Sequence, residues 1–262
     1  MVGTKINAKK SLGQNFLIDN NIIEKIINSF FCDEKDLIIE IGPGRGALTK
    51  KLKTKGAKLI CFEVDTDLKE VLSPLEDSNT KVIYGDFLKV DLNNVLKEYK
   101  YEHLYIIGNL PYYITTPILE HIINQNIKLD GLTIMVQKEV ADRFMAKPKT
   151  KEYGYFTLFL QHYFKVEKVV NVGNKCFYPS PKVDSMVIKL TPRNIKIENF
   201  KEYNNFIKKA FMHKRKTLRN NLGNELFNNI KNKLNELGYS DSVRAEEITE
   251  NDYVELVNYL YK

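Results

Sequence analysis

Leu37-Ile38-Ile39-Glu40-Ile41-Gly42-Pro43-Gly44-Arg45-Gly46 decides the fold. Its first five residues are apolar but for Glu40, as in a strand buried on both faces, and the run stops at a glycine. The glycines that follow let a chain turn sharply and approach a ligand closely at the start of a helix, and residues 47–55 read as that helix. Outward from there, Lys58–Glu63 and residues 81–84, 105–107 and 132–136 read as further short strands, with 116–124 as another helix. Strands alternating with helices imply an α/β fold with a mostly parallel, doubly wound sheet and right-handed crossovers. Residues 165–171 and 183–190 read as two later strands, with Pro179 and Pro181 in the loop between them. After Thr191-Pro192-Arg193 the pattern turns helical, over residues 198–223, 225–237, 243–247 and 251–260. Gly223 and Gly238 stand where helix C-caps are expected. The expected division is a ligand-binding α/β domain over residues 1–192 and a small all-α domain over residues 193–262.

Composition limits the classes of function. The chain has 262 residues, 43% of them hydrophobic and 28% charged, enough to bury a sizeable core. No apolar run approaches the roughly 20 residues that span a bilayer. Lys5, Lys9 and Lys10 are followed by no apolar segment of a secretory signal, so a cytoplasmic location is expected. Cys32, Cys61 and Cys176 are odd in number, far apart and without metal-ligand spacing, so reduced thiols and no metal site are expected. The net charge of +7 suits an acidic partner without requiring one.

Three strand ends in succession carry groups that fit an adenosine. Gly42 and Gly44 lie in the turn after the first strand. Glu63 ends the second strand, 21 residues after Gly42, where a carboxylate can accept from both hydroxyls of a ribose. Asp86 follows the third strand and can accept from an adenine amino group. An NAD enzyme stays open at this point, although Gly42-Pro43-Gly44-Arg45-Gly46 has Gly-x-Gly-x-Gly spacing rather than that of the dinucleotide fingerprint.

Asn109-Leu110-Pro111-Tyr112 follows the fourth strand and is therefore expected beside the nucleotide site. An exocyclic adenine nitrogen is a poor nucleophile because its lone pair is delocalised into the ring. Two acceptors aimed at its hydrogens favour a more tetrahedral nitrogen, and the Asn109 side-chain oxygen and Leu110 carbonyl can supply them. Pro111 stiffens the turn, and Tyr112 offers a face for stacking that tolerates a nearby sulfonium. An activated methyl donor leaves alignment and electrostatics as the main tasks, so no histidine is required as a base. A Pro-Tyr turn that merely ends a strand is the alternative.

Lys208, Lys209, Lys214, Arg215, Lys216 and Arg219 form a run of six positive charges with no acid between residues 208 and 219. On one helix Ile207, Phe211, Leu218 and Leu222 share a stripe, and Lys208, Arg215 and Arg219 share another. Such a helix can bury one face and offer the other to RNA phosphates, although a solvated charged face is the alternative. Lys147, Lys149 and Lys151 form a second candidate contact.

Taken together, residues 11–17 (Ser-Leu-Gly-Gln-Asn-Phe-Leu), 40–46, 109–117 and 177–185 (Phe-Tyr-Pro-Ser-Pro-Lys-Val-Asp-Ser) closely resemble the KsgA-type ribosomal RNA adenine dimethyltransferases. Residues 215–220, Arg-Lys-Thr-Leu-Arg-Asn, also look like that family. The resemblance implies a Rossmann-like class I methyltransferase domain with S-adenosylmethionine as cofactor. It implies dimethylation of two adjacent adenines near the end of small-subunit rRNA, free or in a pre-30S particle, by a monomer. By motif position, Gln14, Asn15 and Leu17 would line the methionine end of the cofactor. Gly42 would lie in the cofactor loop, Glu63 at the ribose, Asp86 at the adenine, and Asn109 at both cofactor and target base. Phe177 would meet the base from the side opposite Tyr112. Three rivals share parts of the pattern: the Erm family, which methylates large-subunit rRNA; adenine-amino DNA methyltransferases, which typically carry Pro where this chain has Leu110; and an assembly factor acting by binding.

Overall fold

In the computed structural model, which describes residues 8–193 and 200–261, Leu37–Ile41 is a strand with a parallel neighbour on each side. In chain order the strands are β1 (Phe16–Leu17), β2 (Leu37–Ile41), β3 (Lys58–Glu63), β4 (Thr80–Tyr84), β5 (Leu104–Asn109), β6 (Gly131–Gln137), β7 (Phe164–Val172), β8 (Phe177–Tyr178) and β9 (Ser185–Pro192). The helices are α1 (Asn20–Ile27), α2 (Ala47–Leu52), α3 (Lys69–Leu72), α4 (Leu92–Leu96), α5 (Thr115–Asn124), α6 (Lys138–Phe144), α7 (Tyr155–Tyr163), α8 (Phe200–Ala210), α9 (Leu218–Leu222), α10 (Asn224–Glu236) and α11 (Glu250–Leu260). None of these helices is long and apolar enough to cross a membrane.

Contacts divide the chain into two units, Met1–Ala141 with Val166–Pro192, and Asp142–Lys165 with Arg193–Lys262. That differs from the single cut expected between residues 192 and 193, because Asp142–Lys165 groups with the C-terminal residues. The reason is packing that only the folded chain reveals: Tyr153 and Leu158 are buried in one cluster with Tyr203, Phe206 and Tyr253.

The first unit holds a seven-stranded sheet in the order β4-β3-β2-β5-β6-β9-β7. The pairs from β4 through β6 are parallel and β6–β9 is antiparallel. The chain runs outward from β2 through β3 to β4 and then returns to β5 on the other side of β2. This reversal opens a crevice at the strand C-termini, where ligands of doubly wound sheets bind. Alternate strand residues serve opposite faces. Ile38, Leu59, Cys61, Ile107 and Met135 pack with Ile22, Ile23 and Ile26 of α1 and Leu48 and Leu52 of α2. On the other face Phe62 meets Phe87 (centroids 5.4 Å), which meets His121 of α5 (5.6 Å). Leu37, Ile38, Ile39 and Ile60 are fully buried, each worth roughly 1.5–3 kcal/mol of apolar burial.

In the second unit α8 buries Tyr203, Phe206, Ile207 and Ala210, the i, i+3, i+4, i+7 stripe of an amphipathic helix. The helix expected over residues 198–223, whose first two residues lie outside the described ones, is interrupted. It ends at Ala210 and a new helix starts at Leu218. Thr217 is the N-cap of α9, its hydroxyl accepting from Asn220 N, and the Asn221 side chain closes the intervening turn. Asn221 Nδ2 donates to the carbonyls of Ala210 (2.6 Å) and His213 (3.2 Å), and its Oδ1 accepts from His213 N (3.2 Å). The basic run therefore does not form one helical stripe. Lys208 and Lys209 are exposed on α8, and Lys214, Arg215 and Lys216 are exposed on the turn. Arg219 is half-buried, with its guanidinium 4.9 Å from the centroid of Phe227. That places its guanidinium against a buried ring rather than on an exposed cationic face. Lys147, Lys149 and Lys151 are exposed on another turn, held by Lys149 N donating to Glu246 O (2.7 Å). Residues 243–247, expected as helix, contain a single 3₁₀ turn, Ala245–Glu247.

His162 of α7 is buried against Phe200 (centroids 4.7 Å, planes 18° apart) and Tyr203 (5.7 Å). Burial first, and then the charge of Arg193, pushes its imidazolium down to about 4 from the ordinary 6.5. The folded protein thus refuses a proton that the unfolded chain accepts, and stability should fall as pH drops from 6.5 toward 4. The expected loss from this group between pH 7 and pH 5 is about 2 kcal/mol. Urea unfolding at the two pH values should show that loss shrink in His162→Phe. An unchanged pH dependence in the variant would refute the assignment.

Candidate active site

A cavity of about 320 Å³, within the range of small-molecule sites, opens at the C-terminal ends of the parallel strands. Gly42, Gly44 and Gly46 follow β2 with φ of 70°, 56° and 75°, a region that side-chain-bearing residues rarely adopt. At two of them space is also short. A Cβ on Gly44 would lie 3.0 Å from the Phe16 ring, and one on Gly46 would lie 2.5 Å from Leu75. At Gly42 and Gly44 the loop thus brings bare backbone to the cavity wall, beside Pro43 and Arg45.

Glu63, at the end of β3, is 4% exposed. Its Oε2 accepts from Gly44 N (3.0 Å) and its Oε1 from Asp65 N (2.9 Å), so the acid also ties the glycine loop to the loop after β3. Burial raises its carboxyl above the ordinary 4.5, opposed by these backbone bonds. Asp86 is exposed at the end of β4's loop, its carboxylate accepting from Leu88 N (3.0 Å). Asn109 ends β5. Leu110 N donates to Met135 O (3.2 Å), which fixes the start of the next turn, and Tyr112 opens a 3₁₀ turn directly after Pro111. Gly42, Gly44, Glu63, Asp86, Asn109, Leu110, Pro111 and Tyr112 all line the one cavity.

The N-terminal arm forms the remaining wall, with Gln14, Asn15 and Leu17 on the lining. The Asn15 carbonyl accepts from Asn109 Nδ2 (2.9 Å). This bond assigns the two ends of the Asn109 amide, and among the described residues nothing donates to its Oδ1. Gln14 has its amide bound elsewhere, since Nε2 donates to Asp65 Oδ2 (2.7 Å) and Oε1 accepts from Lys9 N (2.8 Å). Lys9 Nζ completes the clamp on Asp65 Oδ1 (2.6 Å). Despite the cost of burial, the bonds from Lys9 and Gln14 hold the Asp65 carboxyl below its usual range.

Phe177 is not brought to the cavity. It is 3% exposed, faces Leu17 across the short β1–β8 ladder and belongs to the core cluster. An aromatic in a proline-rich loop gives no sequence sign of which way it packs. Three residues that sequence reasoning passed over hold the site together. Asp65 anchors the arm. Ser185 Oγ lies 2.7 Å from the Tyr112 hydroxyl. Glu40, 1% exposed under the glycine loop, accepts from Thr49 Oγ1 (2.7 Å), and burial raises its carboxyl to about 7. Glu40 left a signal as an acid inside an apolar strand and Ser185 as the last residue of the motif over 177–185, neither of which told its role, while Asp65 left none.

The chain matches the family model of ribosomal RNA adenine dimethylase over residues 5–262. A curated relative from Bacillus licheniformis, ribosomal RNA small subunit methyltransferase A, is 43% identical over 86% of this chain and 80% of its own length. The protein of the same name from a Sulfurihydrogenibium species is 40% identical over 96% of both chains. Among solved structures, a dimethyladenosine transferase from Plasmodium falciparum superposes with a TM-score of 0.75 at 27% identity, over 92% of this chain and 95% of that one. The 23S rRNA methyltransferase ErmE shares the fold, with a TM-score of 0.72 at 23% identity over 95% of this chain and 100% of that one.

Proposed function

The chain belongs to the ribosomal RNA adenine dimethylase family, and from that membership we propose how its cavity serves the family's reaction. The protein is an enzyme, an adenine dimethyltransferase of small-subunit ribosomal RNA. Its methyl donor in this proposal is S-adenosylmethionine. The donor set fits an adenosine: a glycine loop open to close backbone approach, a buried carboxylate and an exposed one at successive strand ends. When bound, the donor supplies an electrophilic methyl group on a sulfonium sulfur.

Glu63 holds the ribose hydroxyls and Asp86 accepts from the adenine amino group. Gly42 and Gly44 admit the ligand to the backbone, and Gln14, Asn15 and Leu17 wall the methionine end. Asn109 Oδ1 and the Leu110 carbonyl accept the two hydrogens of the target amino group, turning the nitrogen lone pair toward the methyl. Tyr112 stacks on the target base, which enters unpaired or flipped out. The surplus proton passes to solvent after transfer, with no base needed in the site. Lys208, Lys209, Lys214, Arg215 and Lys216 contact phosphates of the rRNA or of a pre-30S particle, and the enzyme acts as a cytoplasmic monomer.

One observation carries the catalytic assignment: Asn109 is fixed through its amide nitrogen, which leaves its oxygen as an acceptor on the same cavity as Tyr112. The test supplies labelled S-adenosylmethionine with unmodified small subunits, large-subunit rRNA or DNA, and identifies modified nucleosides by mass spectrometry. Dimethyladenosine confined to small subunits is the expected result. Label found only in large-subunit rRNA, or only in DNA, would overturn the substrate assignment.

A further inference from the structure

Each of the two side chains assigned to the target base is held by a single hydrogen bond from a remote segment. Asn109 is held by the Asn15 backbone, which no substitution deletes. Tyr112 is held by a side chain, Ser185, whose Oγ lies 2.7 Å from its hydroxyl across 73 residues of sequence.

We propose that Ser185 is a positioning residue for methyl transfer, holding the Tyr112 ring at the angle at which it receives the target base. The inference rests on the assignment of Tyr112 as the stacking residue. Stacking itself needs no hydroxyl, since a phenyl ring offers a comparable face. The hydroxyl of Tyr112 therefore has another use, and its partner shows which. Ser185 is fully buried and begins β9, in register with Gln137 at the end of β6. The preceding residue is bound twice: Asp184 O accepts from Lys138 N (3.0 Å) and Asp184 Oδ1 accepts from Asn174 N (3.1 Å). Ser185 Oγ is thus a point fixed to the sheet and independent of the cavity. At its other end the Tyr112 ring starts from the turn after Pro111, whose φ of −56° the pyrrolidine ring enforces. A ring restrained at backbone and hydroxyl alike keeps one tilt, and small misplacements of reacting groups are costly in rate.

The competing account is that the bond only satisfies two hydroxyls out of reach of water. A double-mutant cycle of Ser185→Ala and Tyr112→Phe separates the two, with single-turnover methylation of small subunits, KM for the donor and thermal unfolding measured on each variant. Positioning predicts that either single substitution lowers the transfer rate about tenfold with donor KM unchanged, and that the double variant is no slower than the singles. Mere satisfaction predicts a lowered melting temperature in Ser185→Ala that recovers in the double variant, with transfer near wild type throughout. That result, or losses that multiply in the double variant, would overturn the inference. Absence of transfer by the wild-type enzyme would instead defeat the assignment of Tyr112, and this inference with it.

Discussion

Asn109→Ala is expected to lose methyl transfer by a factor of about 10² to 10³, the usual cost of removing one preorganised group that acts on the reacting atoms. Stability should change little, because the half-buried side chain makes one hydrogen bond, to Asn15 O, worth about 1 kcal/mol net. Asn109→Asp is the sharper variant. It keeps an acceptor oxygen but presents no donor to the Asn15 carbonyl, so two oxygens face each other where one N–H stood. It should therefore be impaired about as severely as the alanine variant, although the feature assigned to catalysis is nominally present. Single-turnover transfer from labelled donor measures both. Activity of either variant within about fivefold of wild type would remove Asn109 from the reaction.

Glu63→Ala should weaken donor binding at least about 100-fold. Two hydrogen bonds to a buried carboxylate contribute about 1.5–3 kcal/mol each, and 1.4 kcal/mol is a factor of ten. The same acid joins the glycine loop to the loop after β3 through Gly44 N and Asp65 N, so its loss also loosens the wall it lines. Its carboxyl titrates above the ordinary 4.5 because it is buried. Donor affinity should accordingly fall as pH is lowered through that raised value, when the acceptor takes up a proton. The alanine variant should have lost this pH dependence together with its affinity. Calorimetry across acid pH provides the check, and a variant that binds the donor as wild type does would place the ribose elsewhere.

Strands β2, β3, β5 and β6 were readable because each is a short, mostly apolar run, as burial on both faces requires, and the edge strand β4, with Lys81 exposed, by its place in the strand–helix alternation. Counting along those strand ends also located Glu63, Asp86 and Asn109, since a parallel sheet collects its C-termini at one edge. The two-residue strands β1 and β8 show no periodicity, and their pairing joins segments far apart in the chain. The same limit hid Asp65 and Ser185. Each is an ordinary polar residue until its partner, Gln14 or Tyr112, is known. The break in the basic helix was of another kind. Thr217 is a good N-cap by type, but a long run of cations and apolar residues fits an unbroken helix equally well. Phe177 illustrates the reverse case, where family position assigned a contact and packing against Leu17 took the ring into the core.

The pairing of Phe16 and Leu17 with Tyr178 and Phe177 has a consequence for how the enzyme comes into being. During synthesis the arm leaves the ribosome well before the strand that receives it, which is made about 160 residues later. At typical elongation speeds of about 5–20 residues per second, the arm waits for many seconds without its partner. The strands around the glycine loop can close earlier, from contacts nearer in sequence, whereas the wall of the cavity must await a long-range closure that is slow on entropic grounds. The five parallel strands β2 to β6 are therefore synthesised before β8, and the wall that the arm forms must wait for β8.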